Sequence, residues 1–202
     1  RTLPAPEPRQ RVLGIISRLE KDHWLERNLK MYADATTPWF DAATFLNWFA
    51  RAFQPKTYLE VGVRRGRSMA QVLVESPGTK AFGFDLWIPD YGSVPVQGIH
   101  TTNPGPEFVQ AELRKLGVTN PPALIAGDSG QTLPKFFADS KSPAQFDLIF
   151  IDGDHTRAGA KLDLDLAFAR LAPGGALVFD DIDNPSHLDL RDLWNEYKAK
   201  FP

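Results

Sequence analysis

The sequence contains no cysteine. That absence excludes a disulfide framework, a thiolate nucleophile and any sulfur-ligated metal centre. No apolar run approaches the roughly 18 residues that a membrane-crossing helix requires, so no membrane is expected among its partners. No secretory signal pattern is visible, and cytoplasm is the default expectation for location. The chain opens on Arg1 rather than methionine, which fits a leader or tag having been removed. It also lacks an excess of either charge. With 23 Lys and Arg against 25 Asp and Glu, the formal net charge is −2. A bulk basic field for nucleic acid is therefore excluded, and only a local basic patch remains at Arg64, Arg65 and Arg67.

What is present is an ordinary globular composition in a chain of 202 residues, the length of one domain with a real core. Residues 2–8 are proline-rich and read as a loose arm. Apolar residues Val12, Ile15, Ile16, Leu19, Trp24, Leu25 and Leu29 recur at helical spacing and predict a helical region over 9–33. A second helix is expected from Pro38 or Asp41 to Phe53, capped by Thr37 or Asp41. Strands are then predicted at 57–62, 80–85, 123–127, 146–151 and 176–180. Helices are predicted at 66–75, 106–117, 131–139, 157–171 and 188–200. Such alternation implies an α/β fold, a parallel sheet joined by crossover helices. Residues 1–54 read as an N-terminal arm and helices, a lid, acceptor-pocket wall or dimer contact, and residues 55–202 as the core. A long Pro- and Gly-rich connection over 86–106 carries Trp87, Ile88, Tyr91, Val94 and Val96. Loops beyond about 12–15 residues are usually functional or disordered, and these apolar residues favour a lid or interface element, with a tucked structural loop as the alternative. The chain ends at Pro202, directly after a helix.

The stretch Tyr58-Leu-Glu-Val-Gly-Val-Arg-Arg-Gly-Arg-Ser68 reads as strand, glycine turn and helix start. Glycine lets a backbone turn at positive φ and lets a ligand approach closely. In open α/β sheets the crevice at the carboxyl end of the first strand is where nucleotide-like ligands bind. A dinucleotide fingerprint requires G-x-G-x-x-G, but Arg64 and Arg67 stand where that pattern places glycine. A phosphate loop fails as well. The remaining pattern, E-x-G-x-x-x-G-x-S through Glu60, Gly62, Gly66 and Ser68, resembles the first motif of the class I S-adenosylmethionine-dependent methyltransferases.

The resemblance implies a Rossmann-like sheet of parallel order 3-2-1-4-5. It also implies two further strands, for which no residues follow the last helix, so a sheet lacking its final two strands is expected. Glu60 would hold the methionine ammonium, with Gly62, Val63, Gly66 and Ser68 forming the turn beside it. Asp85, followed by Leu86 at the second strand end, would accept the ribose hydroxyls. Asp128 and Ser129, at the third strand end, would face adenine. Asp152 completes the cofactor-binding set. Each acid has a plainer reading as a turn former or helix cap, but three at successive strand ends in this order favour the cofactor.

A second acidic group follows. Phe146-Asp-Leu-Ile-Phe-Ile-Asp-Gly-Asp-His155 delivers Asp152, Asp154 and His155 to one sheet edge, and Pro173–Ile182 delivers Asp180 and Asp181 beside them. Crowded carboxylates raise each other's pKa unless neutralised, and a hard divalent cation such as Mg²⁺ is the simplest partner. Asp152, Asp180 and Asp181 resemble the metal triad of the catechol and caffeoyl-coenzyme A O-methyltransferases and of antibiotic sugar O-methyltransferases. The plainer reading makes Asp154, Asp180 and Asp181 caps. His155 is the expected catalytic base, its ordinary pKa lying close to neutrality, and Asp154 is the alternative. His187 is a candidate for substrate contact. The function expected is Mg²⁺-assisted O-methylation of a small hydroxylated acceptor of sugar, polyketide or phenolic type. The alternative is a methyltransferase-like binding or assembly module without catalysis. The apolar N-terminal helices and an open sheet edge make a homodimer a reasonable expectation.

Overall fold

The computed structural model describes residues 7–34, 41–89 and 103–199. They form eight helices and five strands. Contacts divide the chain into two compact units. The first comprises residues 1–55, 64–79 and 87–122, and the second comprises residues 56–63, 80–86 and 123–202.

The second unit carries the sheet. Its strands are β1 (Thr57–Val61), β2 (Lys80–Asp85), β3 (Ala123–Ala126), β4 (Phe146–Ile151) and β5 (Leu171–Phe179). All pair in parallel, in the order β3-β2-β1-β4-β5. The fold class and strand order expected from the sequence are met. The expectation of missing strands is corrected, because all five strands of that order are in place. Register lines up the strand ends: Val61 pairs with Ile151, and Ile151 with Phe179. The ladder then runs one residue further. Asp152 N–H donates to Val61 O at 2.8 Å and Asp180 N–H to Ile151 O at 3.0 Å. Backbone pairing alone thus sets Gly62, Asp152 and Asp180 side by side at the carboxyl edge.

This unit also holds α6 (Ser129–Ala138), α7 (Arg157–Phe168) and α8 (Leu188–Lys198). Leu59, Val61, Phe84, Ile149 and Ile151 from the strands share one core with Leu133, Leu164, Leu190 and Leu193 from these helices. Burying each such side chain contributes about 1.5–3 kcal/mol, so the helices are fixed to the sheet by this face.

The first unit is helical: α1 (Glu7–Ile16), α2 (His23–Ala33), α3 (Ala42–Phe53), α4 (Arg67–Glu75) and α5 (Pro106–Lys115). Its core includes Val12, Leu25, Leu46, Met69 and Leu73. Asn47 donates to Gln71 within it at 3.2 Å, as burial of polar groups requires.

Several boundaries differ from the sequence reading. The single helical region over 9–33 is two helices, because Asp22 caps α2 by accepting the Leu25 N–H at 2.7 Å. α3 starts at Ala42 with Asp41 as its cap in a reciprocal capping box with Thr44; Thr37 and Pro38 lie outside the described residues. α6 begins at Ser129 instead of 131, because Asp128 caps it. β5 begins at Leu171, where a helix was expected to end. As an edge strand it accommodates Pro173, whose missing N–H removes no ladder bond there, and its register slips between Phe146 and Leu148. Of the long connection, residues 90–102, including Tyr91, Val94 and Val96, lie outside the described residues. Trp87 is buried, whereas Ile88 is exposed.

Candidate active site

The turn after β1 is dictated by the strand beside it. Gly62 has φ +92°, and a Cβ there would lie 1.9 Å from the Asp152 carbonyl oxygen. No other residue fits while Asp152 continues the ladder. Glu60 is fully buried, and the Tyr58 hydroxyl donates to its Oε2 at 2.7 Å. Burial, and then the Glu60 charge, push the Tyr58 phenol well above its ordinary pKa. The phenol therefore stays a neutral donor that holds the carboxylate. Val63 is also buried.

Gly66 and Ser68 belong to the helical unit. Gly66 occupies the N-cap of α4 at φ +75°, where a Cβ would meet Val109 Cγ1 at 2.6 Å. Ser68 lies half-buried in the first turn of α4. Of the arginines that spoil a dinucleotide fingerprint, Arg67 is engaged here, and so is its neighbour Arg65. Arg65 pairs with Glu20 at 3.1 Å and Asp22 at 3.6 Å and lies over the Phe108 ring at 4.3 Å. Arg67 pairs with Asp22 at 2.5 Å. Burial alone would raise the Asp22 carboxyl. The Leu25 amide and the two guanidinium groups outweigh it and hold Asp22 below its ordinary pKa. The sequence reading missed Glu20 and Asp22, since nothing in their spacing marks them as partners of a turn 45 residues away.

Asp85 closes β2, half-buried, with exposed Leu86 after it. Its carbonyl accepts the Gly127 N–H at 2.9 Å. Asp128 follows β3 and is exposed. Its Oδ1 accepts the Gly130 N–H at 2.9 Å, so the capping reading and an outward-facing carboxylate hold together. Ser129 opens α6.

The acids after β4 and β5 divide into two groups. His155 stands between two carboxylates, with Nε2 at 3.5 Å from Asp152 Oδ1 and 3.4 Å from Asp181 Oδ2. The Asp152 hydrogen bond outweighs burial and, with the charges of Asp152, Asp181 and Asp180, raises the imidazole above its ordinary pKa. His187 precedes α8 and brings its ring centroid to 4.7 Å from that of His155. One ligand atom from each of His155, Asp181 and His187 falls within 4.8 Å of the others. Asp181 sits at φ +57°, a strained backbone for a non-glycine residue. Asn184 Nδ2 donates to its Oδ1 at 3.2 Å, which leaves Oδ2 toward His155. Asp180 Oδ1 accepts the Asp181 N–H at 2.9 Å.

Asp154 is turned elsewhere. Its Oδ1 accepts the Thr156 N–H at 2.7 Å, and its carboxylate lies where a Cβ on Gly159 would stand, at 2.0 Å. It shapes the start of α7. Arg157 reaches α8, donating to Asp189 O at 3.1 Å and to Glu196 at 2.6 Å. The structure thus gathers Asp152, His155, Asp181 and His187, sets Asp180 next in the chain, and turns Asp154 away.

A family profile described as a methyltransferase domain matches residues 59–182. Among solved structures, the chain is similar to CalS11, a TDP-rhamnose 3'-O-methyltransferase of calicheamicin biosynthesis, at 20% identity and TM-score 0.54, covering 97% of this chain and 86% of that one. It is similar to an O-methyltransferase from Bacillus cereus at 15% identity and TM-score 0.57, covering 98% and 81%. The O-methyltransferase TomG from Streptomyces achromogenes gives 16% identity and TM-score 0.57, covering 98% and 88%. No curated protein matches the chain. Likeness at these identities speaks for the fold, while the profile spans most of the chain, from β1 to the residues just beyond β5. On that match, this chain belongs to the methyltransferase domain family, the class I S-adenosylmethionine-dependent enzymes that its motifs resemble.

Proposed function

We propose that the protein methylates a hydroxyl group of a small molecule, of sugar, polyketide or phenolic type, with His155 as the proton acceptor. The observation that carries this reading is the placement of His155 Nε2 between Asp152 and Asp181 at the carboxyl edge of the sheet. S-adenosylmethionine, when bound, supplies a methyl group on a cationic sulfur that an acceptor oxygen can take. Asp85, Asp128 and Asp152 fit that ligand by chemistry: each ends or follows a strand, is at least partly accessible, and offers a carboxylate to hydroxyl, amine or cationic groups. Glu60, held by Tyr58, gives the buried negative charge behind the glycine turn. Gly66 and Ser68 are assigned to the same ligand from their motif.

Transfer to a hydroxyl releases a proton, and the chain must take it. His155 does so at Nε2, and Asp152 and Asp181 stabilise the imidazolium that results. Their charge holds the resting imidazole protonated to a higher pH than usual. Activity therefore increases as pH rises through that elevated pKa. Asp152, Asp180 and Asp181, which resemble the metal triad of related O-methyltransferases, would be the residues to hold a hard divalent cation such as Mg²⁺, although the ligand atoms that lie together are those of His155, Asp181 and His187. A cation held there would lower the acceptor hydroxyl's pKa. Such a charge beside Asp152 and Asp181 would offset the carboxylates that now favour the protonated His155 imidazole. Residues 1–54 are assigned to the acceptor-binding wall or to a homodimer contact.

Calorimetric titration of S-adenosylmethionine, followed by methylation assays on hydroxylated acceptors with and without Mg²⁺, tests this reading. Micromolar cofactor binding and turnover that is lost in His155→Ala are expected. Cofactor binding without turnover on any acceptor would favour a binding module instead.

A further inference from the structure

Asp163 is the one acid in α7 that faces inward, and it is fully buried. Neither carboxyl oxygen has a hydrogen-bond partner among the described residues. A group in that state costs free energy, and nothing in the packing of α7 requires it, since Leu164 and Ala167 already supply its apolar face. Its surroundings give a direction. Asp163 Oδ2 lies 2.9 Å from where a Cβ on Gly153 would stand, and Val61 Cγ1 lies equally close to that point. The missing side chain of Gly153 is thus the space into which the carboxyl points. Gly153 joins Asp152 to the Asp154–His155 corner, so Asp163 sits directly behind the loop that carries the proposed base. The Asp154 amide and the Ser129 hydroxyl both lie near enough to favour its charged form, without hydrogen-bond geometry to either oxygen. Ser129 belongs to the turn after β3, which was assigned to the cofactor, and Asp154 to the turn after β4, which carries His155.

We infer that Asp163 is a positioning residue that ties the cofactor-side turn at Ser129 to the base-carrying loop at Gly153–His155. One buried carboxyl lies beside both loops: it points into the space left by Gly153, and the Ser129 hydroxyl and the Asp154 amide both favour its charged form. A small movement of either loop completes its hydrogen bond, and because both loops meet the same carboxyl, a shift of one changes where the other can meet it. Occupancy of the Asp128–Ser129 turn is thereby felt at His155. Asparagine keeps the size of the group but offers one acceptor oxygen in place of two, so it can satisfy only one of the loops.

The inference rests on the assignment of the Asp128–Ser129 turn to S-adenosylmethionine, and the test separates the two. Calorimetry of the wild-type chain comes first, because absence of cofactor binding would remove that assignment itself. Given binding, the His155 imidazole is followed by NMR with and without cofactor, in the wild-type chain and in Asp163→Asn and Ser129→Ala. The wild-type His155 signals are expected to shift on cofactor addition. In Asp163→Asn that shift should be largely lost, with cofactor affinity changed no more than about threefold. In turnover, Asp163→Asn should lower kcat at least tenfold with little change in acceptor KM. Ser129→Ala should lower it less, and the double variant should be no worse than Asp163→Asn alone, as one shared network requires. An unchanged His155 response in Asp163→Asn, or multiplicative losses in the double variant, would overturn the inference. Loss of fold in Asp163→Asn would leave the decision to Ser129→Ala, whose His155 response must then be diminished.

Discussion

The carboxylates at the sheet edge behave differently on its two sides. Asp85 and Asp128 lie in separate turns, the first half-buried and the second exposed. Asp152, Asp181 and Asp180 crowd around one imidazole and raise its pKa. On the proposed function, the first arrangement would serve recognition and the second proton transfer, since groups with perturbed titration cluster at sites of chemistry.

That contrast can be broken or sharpened by substitution. The largest effect is expected at the backbone both sides share. Gly62→Ala forces a Cβ to within 1.9 Å of the Asp152 carbonyl at φ +92°. Overpacking and strain together should cost about 5 kcal/mol, read by chemical denaturation. On the chemical side, His155→Ala should lower kcat by about 10²–10⁴-fold with cofactor affinity preserved. In the wild-type chain, kcat should rise with pH through the elevated His155 pKa, and the Asp152→Asn variant should move that limb to lower pH.

Asp163 provides a third test, through stability. Burial raises its carboxyl from the ordinary carboxylate range to about 6, with Asp154 and Asp128 adding to the rise and the Ser129 hydroxyl and Asp154 amide opposing it. A folded-state pKa above the unfolded value means a contribution fully present below about pH 4 and lost as pH rises through about 6. The loss amounts to about 3 kcal/mol. Denaturation at pH 5 and pH 8 should therefore show Asp163→Asn gaining relative to wild type at the higher pH. On the recognition side, Asp85→Ala should weaken cofactor binding by about 1.5–3 kcal/mol, the value of a charged hydrogen bond, and leave kcat at saturation within a few-fold. The smallest effect is expected away from both sides. The exposed pair Lys161–Asp165, at 2.5 Å, should contribute less than about 1 kcal/mol, so Lys161→Ala serves as the control.

Much of the fold was legible in the sequence because it rests on local periodicity. Alternating strands and amphipathic helices placed β1 to β4 nearly to the residue. The misplaced boundaries fall where a single side chain overrides periodicity, as at Asp22, Asp41 and Asp128, or where an edge strand accepts proline, as at Pro173. Of the candidate site, the sequence supplied the acids and their order along the strand ends.

While the strand order was implied by the family resemblance, the sequence by itself determined the alternation of strands and helices, the glycines at 62 and 66, and the acids that follow the strands. These depend on residues near one another in the chain, where spacing and backbone geometry are fixed by covalent structure. Only the tertiary structure decided that Arg65 and Arg67 pair with Glu20 and Asp22, and that Asp154 turns toward Gly159 while His155 stands between Asp152 and Asp181. Only it placed Asp163 against Gly153. Those outcomes depend on side-chain direction and on elements brought together from distant parts of the chain. Spacing along the chain carries no information about either.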